Sequence, residues 1–203
     1  MNLLKMLLKI LLTAGAALQF TACSKTVQWE EEVPLNTGDT IWVKRSVNYV
    51  LKGAGGNPLD IAYWPEWDGR LEFLWQGKKY VYQGDAQVFL LAISPQQQPV
   101  LVAEPDDGVW RGKHDYRHCS KPTYVQLVPD GTGRTWSWPP AIDPWLYGLP
   151  ANLMRHRGQS EEMKGRYTTQ DRIKEDATGW IQFPPMARID STYTSTGYCK
   201  GRT

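Results

Sequence analysis

The chain has 203 residues, 41% of them hydrophobic, with 23 Lys and Arg against 21 Asp and Glu. That length suits one domain able to bury a core, and the near balance of charge excludes the clustered basic excess with which proteins neutralise nucleic-acid phosphates. Three histidines limit the catalytic options.

The first 23 residues set Lys5 and Lys9 among Leu3, Leu4, Leu7, Leu8, Ile10, Leu11 and Leu12, follow with small residues from Ala14 to Ala17, and end on Phe20-Thr21-Ala22-Cys23. A positive start, a short apolar stretch and a small-residue exit are the build of an export signal. The exit resembles the lipobox of bacterial lipoproteins, in which a small residue precedes a cysteine that is lipidated on sulfur before the leader is removed. Thr21 and Ala22 fit that pattern; Phe20 stands where an aliphatic residue is usual. The resemblance covers the leader alone. It implies a signal peptide over 1–22, a lipidated Cys23 with acyl chains such as palmitate as the tie to the membrane, and, since Ser24 rather than Asp follows, the outer membrane as destination with the domain facing the periplasm. Two other readings stand beside it: an ordinary cleavable signal with Cys23 a bystander, and a single membrane span. Lys5, Lys9 and Gln19 hold the apolar run far below the roughly 20 residues a span needs.

Without the leader, Lys5 and Lys9 are lost, so 23 less 2 leaves 21 basic residues against 21 acidic ones and the mature chain is formally neutral. With Cys23 lipidated, Cys119 and Cys199 remain as a pair in an oxidising compartment. A disulfide there closes a loop of about 80 residues, which stabilises by roughly 4 to 5 kcal/mol in the chain-entropy model. Cys119 as a catalytic thiolate is the alternative, and it leaves Cys199 unexplained.

Residues 23–38 are polar, carry Glu30-Glu31-Glu32 and end near Pro34, which predicts a lipidated tether with a solvated acidic run and Trp29 as first contact with the body. A single mainly-β domain is expected over 39–203. Ile41, Val43, Val47, Tyr49 and Leu51 alternate with polar residues as a half-buried strand. Gly53 to Pro58 makes a glycine-rich turn that lacks the Lys-Ser/Thr and the helix of a phosphate loop. After a short strand over Leu59 to Tyr63, Trp64 to Gly69 reads as an aromatic loop. Leu71 to Trp75 and Lys79 to Tyr82 flank a hairpin turn at Gln76-Gly77-Lys78. Val88 to Ile93 is apolar throughout, a strand buried on both faces, and Val100 to Val102 resumes the sheet after Pro95–Pro99. The meander from Leu71 to Val102 is the expected core.

Tyr124 to Val128 and Thr135 to Trp138 pair across the turn residues Pro129 to Gly133. Four prolines between Pro139 and Pro150 forbid regular structure. Residues 155–177 are about half charged and read as a surface insertion with one or two short helices or disorder. Trp180 to Phe183 and Ala187 to Tyr198 look like closing strands. The sum is a mainly β, antiparallel sandwich or barrel with long loops.

His114 and His118 stand four apart beside Cys119, which on a helix would present a metal pair. Gly108, Gly112, Pro105 and Pro122 argue against a helix, so no metal and no cofactor are expected. His156 reads as solvated. Asp60, Glu66, Asp68, Glu72, Asp85 and Asp143 could supply a carboxylate pair for glycoside chemistry, with Glu66 and Asp68 the preferred two. Ten tryptophans are the most unusual feature. Exposed rings stack on sugars or fill partner pockets, whereas buried rings pin loops to a core. Tyr63, Trp64, Trp67, Trp138 and Trp145 are the candidate contact surface, with peptidoglycan or an envelope protein as partner. The favoured expectation is a non-enzymatic binding or assembly module; a glycan-acting enzyme and a purely structural lipoprotein are the alternatives.

Overall fold

The computed structural model describes residues 24–53, 61–104, 122, 124–154, 163–177 and 188–193. β1 runs Ser24–Pro34, with Val27, Trp29, Glu31 and Val33 buried and the residues between them turned outward. It pairs antiparallel along its whole length with β2 (Thr40–Gly53), from Ser24 opposite Val50 to Pro34 opposite Thr40. The tether expected over 23–38 is therefore corrected: from Ser24 onward the chain is a strand interior to a sheet. Its period-two alternation lines a core in spite of the three glutamates.

β3 (Ile61–Trp75) and β4 (Lys78–Gly84) complete the meander, and β9 (Gly165–Tyr167) joins β1 in parallel, giving the order β4-β3-β2-β1-β9. The expected aromatic loop from Trp64 to Gly69 belongs instead to β3. Val47 lies opposite Gly69 and Tyr49 opposite Pro65, so the single residue Asn48 faces Glu66, Trp67 and Asp68. An excursion of that kind is where a strand tolerates proline and extra residues. Gln76 and Gly77 both take positive φ, 49° and 74°, the requirement of a tight two-residue hairpin.

The second sheet holds β5 (Gln87–Ile93), β6 (Pro99–Glu104), β7 (Val125–Pro129) and β8 (Trp136–Ser137) in that order, all antiparallel. The Leu71–Val102 meander is thus split, since the chain changes sheets between Gly84 and Gln87. The two sheets form a mainly β sandwich with one short helix, α1 (Thr169–Ala177), and a 3-10 turn at Pro144–Leu146. Between the sheets lie Val33, Val43, Leu71, Phe73, Leu91, Ile93, Leu101 and Leu127.

β5 is buried on both faces, as its apolar run predicts. Phe89 is an extra residue between the pairs Val88–Ala103 and Leu90–Val102. That bulge turns both Phe89 and Leu90 to the outer face, where Tyr124, Ile142, Leu146 and Ile189 cover them. The irregular, proline-rich chain around Ile142 to Ala151 is therefore a third layer over the second sheet.

Within the span read as a charged surface insertion, Met163 and Arg172 are buried and β9 extends the first sheet. Arg172 goes inward because other chain segments offer it acceptors, a condition that no local pattern displays. The closing strand expected from Ala187 shrinks, among the described residues, to one bridge between Arg188 and Pro150 and a turn in which Asp190 accepts from the Thr192 N–H. Trp180 to Phe183 and 194–198 lie outside the described residues, as do 1–23, His114, His118, Cys119, His156 and Cys199.

Candidate functional site

Alternation on β1 turns Glu31 inward, where its side chain is fully buried. A lone carboxylate there would cost several kcal/mol, so partners are obligatory. Arg45 from β2 places Nη1 3.3 Å from Oε1, and Arg172 from α1 places Nε 3.7 Å from Oε2. The Met154 N–H donates to Oε2 at 2.8 Å. The two guanidiniums also donate to carbonyls: Arg45 donates to Met154 at 3.0 Å, and Arg172 donates to Glu32 and to Asn152. The Arg45 guanidinium also lies 5.3 Å from the centre of the Trp29 ring. Burial pulls the Arg172 pKa below the ordinary guanidinium range, the Glu31 carboxylate opposes that, and Arg45 adds to it. A guanidinium stays charged across such shifts, so the cluster carries one anion and two cations.

The acidic run thus has three fates rather than one solvated role. Glu30 meets Arg166 at 3.0 Å near the surface, Glu31 is buried, and Glu32 accepts from the Thr169 N–H at 2.8 Å and from its hydroxyl at 2.9 Å. Those Thr169 bonds hold the Glu32 carboxyl below its ordinary range. They also set a negative charge at the positive end of α1. Thr168 and Asp171 close a reciprocal cap at the same end, with the Asp171 N–H donating to the Thr168 hydroxyl and Asp171 accepting from the Thr168 N–H.

Asn152 and Asn36 finish the seam. β5 is the edge of the second sheet, and an apolar strand with an open edge is a template for further pairing. Asn152 accepts from the Leu91 N–H at 2.8 Å and donates to the Leu91 carbonyl at 2.8 Å, while its amide nitrogen makes a second donation to the Pro34 carbonyl at 2.7 Å. Asn36 does the same for the N–H and carbonyl of Ile93. The Phe89 carbonyl accepts from Asn152 and Leu153. Side-chain amides here imitate a neighbouring strand.

Over this seam opens a cleft of about 370 Å³ whose walls include Leu35, Leu90, Leu149, Pro150 and Ile173, with Asn152 and Arg172 among its lining residues. Its chemistry suits an apolar segment. A smaller cavity of about 60 Å³ lies by the β2–β3 excursion, lined by Trp29, Arg45, Tyr49, Pro65 and Glu66 among others.

Of the sequence-derived contact residues, the three with described side chains, Tyr63, Trp138 and Trp145, do not share one packing cluster. Tyr63 is half-buried against the cluster of Val27, Trp29, Tyr49, Met154 and Met163. Trp145 packs on the outer layer of the second sheet and donates to Asp143 at 3.3 Å. Trp138 is 45% exposed. Trp64 and Trp67 are placed by their backbone on β3, and their side chains, like that of Asp68, lie outside the described residues. Among the carboxylates, Glu66 is exposed and Asp143 is tied to Gln126. Lys79 at 2.6 Å, with Arg70 behind it, holds Glu72 below its ordinary range, which keeps it ionised rather than poised as an acid. Among the described residues no group of three His, Cys, Asp or Glu side chains could hold a metal ion. Glu31, Arg45, Asn152 and Arg172 went unseen; the alternation Val27-x-Trp29-x-Glu31-x-Val33 was the available signal for the first of them.

No family model matches this chain, and no curated protein or solved structure matches it either. The fold and the seam define a class only: a two-sheet β-sandwich with a charged seam beneath an apolar cleft.

Proposed function

We propose that this chain is a lipoprotein of the Gram-negative outer membrane, held by lipid on Cys23 and facing the periplasm as a non-enzymatic binding or assembly module. The observation that carries the reading is the leader, Lys5 and Lys9 within an apolar run that ends on Phe20-Thr21-Ala22-Cys23. The binding half of the reading is supported by the cleft over Asn152 and Arg172, which lies at the Pro34 end of β1. That is roughly 30 Å along the strand from Ser24 at 3.3 Å per residue, so an anchored domain would present its cleft away from its anchor.

Metabolic labelling with an alkyne fatty acid in a Gram-negative host, parent beside Cys23→Ala, tests the anchor. Label on the parent alone is expected, and an unlabelled parent would sink the reading. Pull-down on insoluble peptidoglycan, with Ile173→Asp and Trp64→Ala/Trp67→Ala variants of verified fold, then tests the module. Loss of binding in the first variant points to the cleft and loss in the second to the β3 aromatics.

A further inference from the structure

Cys23 is joined by one peptide bond to Ser24, and Ser24 is the first residue of a sheet strand. No tether residues intervene, so an acylated cysteine would hold the sheet within about 4 Å of its own Cα position. Ser24 is level with Val50 of β2 and Trp64 of β3. Beyond that rung the two partner strands continue: Leu51 pairs with Tyr63 and Gly53 with Ile61. Leu51 therefore sits one rung past Ser24 and Ile61 three rungs past it, roughly 3 and 10 Å further along the strand direction. Leu51 is 38% exposed and Ile61 56% exposed, although both continue the parity of Tyr49 and Tyr63, which face the core. The apolar face of the first sheet thus runs on past Ser24, with Ile61 two rungs beyond the half-buried Tyr63, at the end where the lipid would be attached.

We infer that this end of the first sheet, carrying Leu51 and Ile61, docks on the bilayer that receives the Cys23 lipid. The inference rests on the lipidation reading. An overhang of about 10 Å matches the depth to which apolar side chains enter a headgroup layer, and two points of attachment, the lipid and the overhang, fix the orientation that one alone would leave free. The occupant is the lipid interface because acyl chains on the residue bonded to Ser24 would bring the bilayer to this end of the sheet.

The test uses the full chain, expressed with its leader, purified in detergent and placed in nanodiscs of phosphatidylethanolamine and phosphatidylglycerol containing a gadolinium-chelate headgroup lipid. Methyl NMR intensities are compared with and without gadolinium, and intact mass is taken on the same sample. The expected result is a several-fold intensity loss for Leu51 and Ile61 and none for Leu74, which is 63% exposed near the other end of β3. Retained signals at Leu51 and Ile61 with lipid present by mass would overturn the docking and leave the anchor intact. Equal loss at Leu74 would overturn it too, since the sheet end would then have no preference. A mass without lipid would remove both the anchor and the docking.

Discussion

The two seams that join the sheets are built from different materials. On one side, the turn between β7 and β8 sits on the edge of β4. The Val81 N–H donates to the Gly133 carbonyl at 2.9 Å, Trp136 donates from Nε1 to the Val81 carbonyl at 2.7 Å, and Lys78 donates to the Gly131 carbonyl at 2.7 Å. Phe73 and Tyr80 stack there at 5.3 Å, and Trp136 meets Tyr82 edge-on at 6.0 Å. That seam is one turn and a set of rings, drawn from two parts of the chain. On the other side, the edge of β5 is closed by Asn36 and Asn152 and backed by Glu31, Arg45 and Arg172. This seam is charge and amide drawn from four distant parts of the chain. A seam of turns tolerates the loss of one side chain, whereas a buried ionic seam strands every partner of the residue removed.

The largest effect should come from the ionic seam. Glu31→Ala leaves the buried Arg172 and the partly buried Arg45 without their anion and should lower stability by about 3 to 5 kcal/mol, read as the shift of the urea unfolding midpoint at unchanged slope. If the change costs less than about 1 kcal/mol, the seam is wetter than its geometry implies and the contrast fails. Asn152→Ala should follow at about 3 kcal/mol, because it leaves the N–H and C=O of Leu91 and the C=O of Pro34 unmatched. Faster amide exchange at Leu91 would tie that loss to the edge of β5.

The turn seam is probed by Gly133→Ala. Gly133 has φ +75°, and a Cβ there would lie 2.9 Å from the Tyr80 ring and 3.0 Å from the Lys79 carbonyl. A loss of about 2 kcal/mol is expected, with Val81 losing amide protection and Leu91 keeping it. Cross-talk between the two amides would mean that the seams are not separate.

The smallest effect is a titration. The Thr132 hydroxyl first, and then the N–H groups of Thr132, Thr135 and Gly133, hold Asp130 down from an ordinary 3.8 to about 2. A folded pKa below the unfolded one stabilises fully above pH 3.8, and that contribution fades as pH falls through about 2. Parent and Asp130→Ala should therefore differ above that window and converge below it, as followed by thermal unfolding at stepped pH.

The contrast between the seams also governs what could be read from the chain. Val88 to Ile93 announces a doubly buried strand by composition, and Pro129 to Gly133 announces its turn, so the strands of the second sheet and that turn were legible, whereas the change of sheet between Gly84 and Gln87 was not. β1 was not, because three consecutive glutamates outweighed an alternation carried by Val27, Trp29 and Val33. Burial of Glu31 depends on Arg172, 141 positions later, and no local window contains both. Trp64 to Gly69 was misread for a related reason: proline and glycine mark a loop by default, and only register with Val47 and Tyr49 reveals an excursion inside one strand. Of the candidate site, Tyr63 and Trp145 turned out to serve two separate packing clusters.

That separation has a consequence in time. A chain made from its N-terminus delivers Glu31 first and Arg45 fourteen positions afterwards, so β1 and β2 can close as a hairpin while the carboxylate still has one cation and an open flank to water. Arg172 comes only when nearly the whole sandwich has been made. Until then the first described strand holds a charge it cannot bury, and a helix made more than a hundred residues later is what lets that charge be sealed.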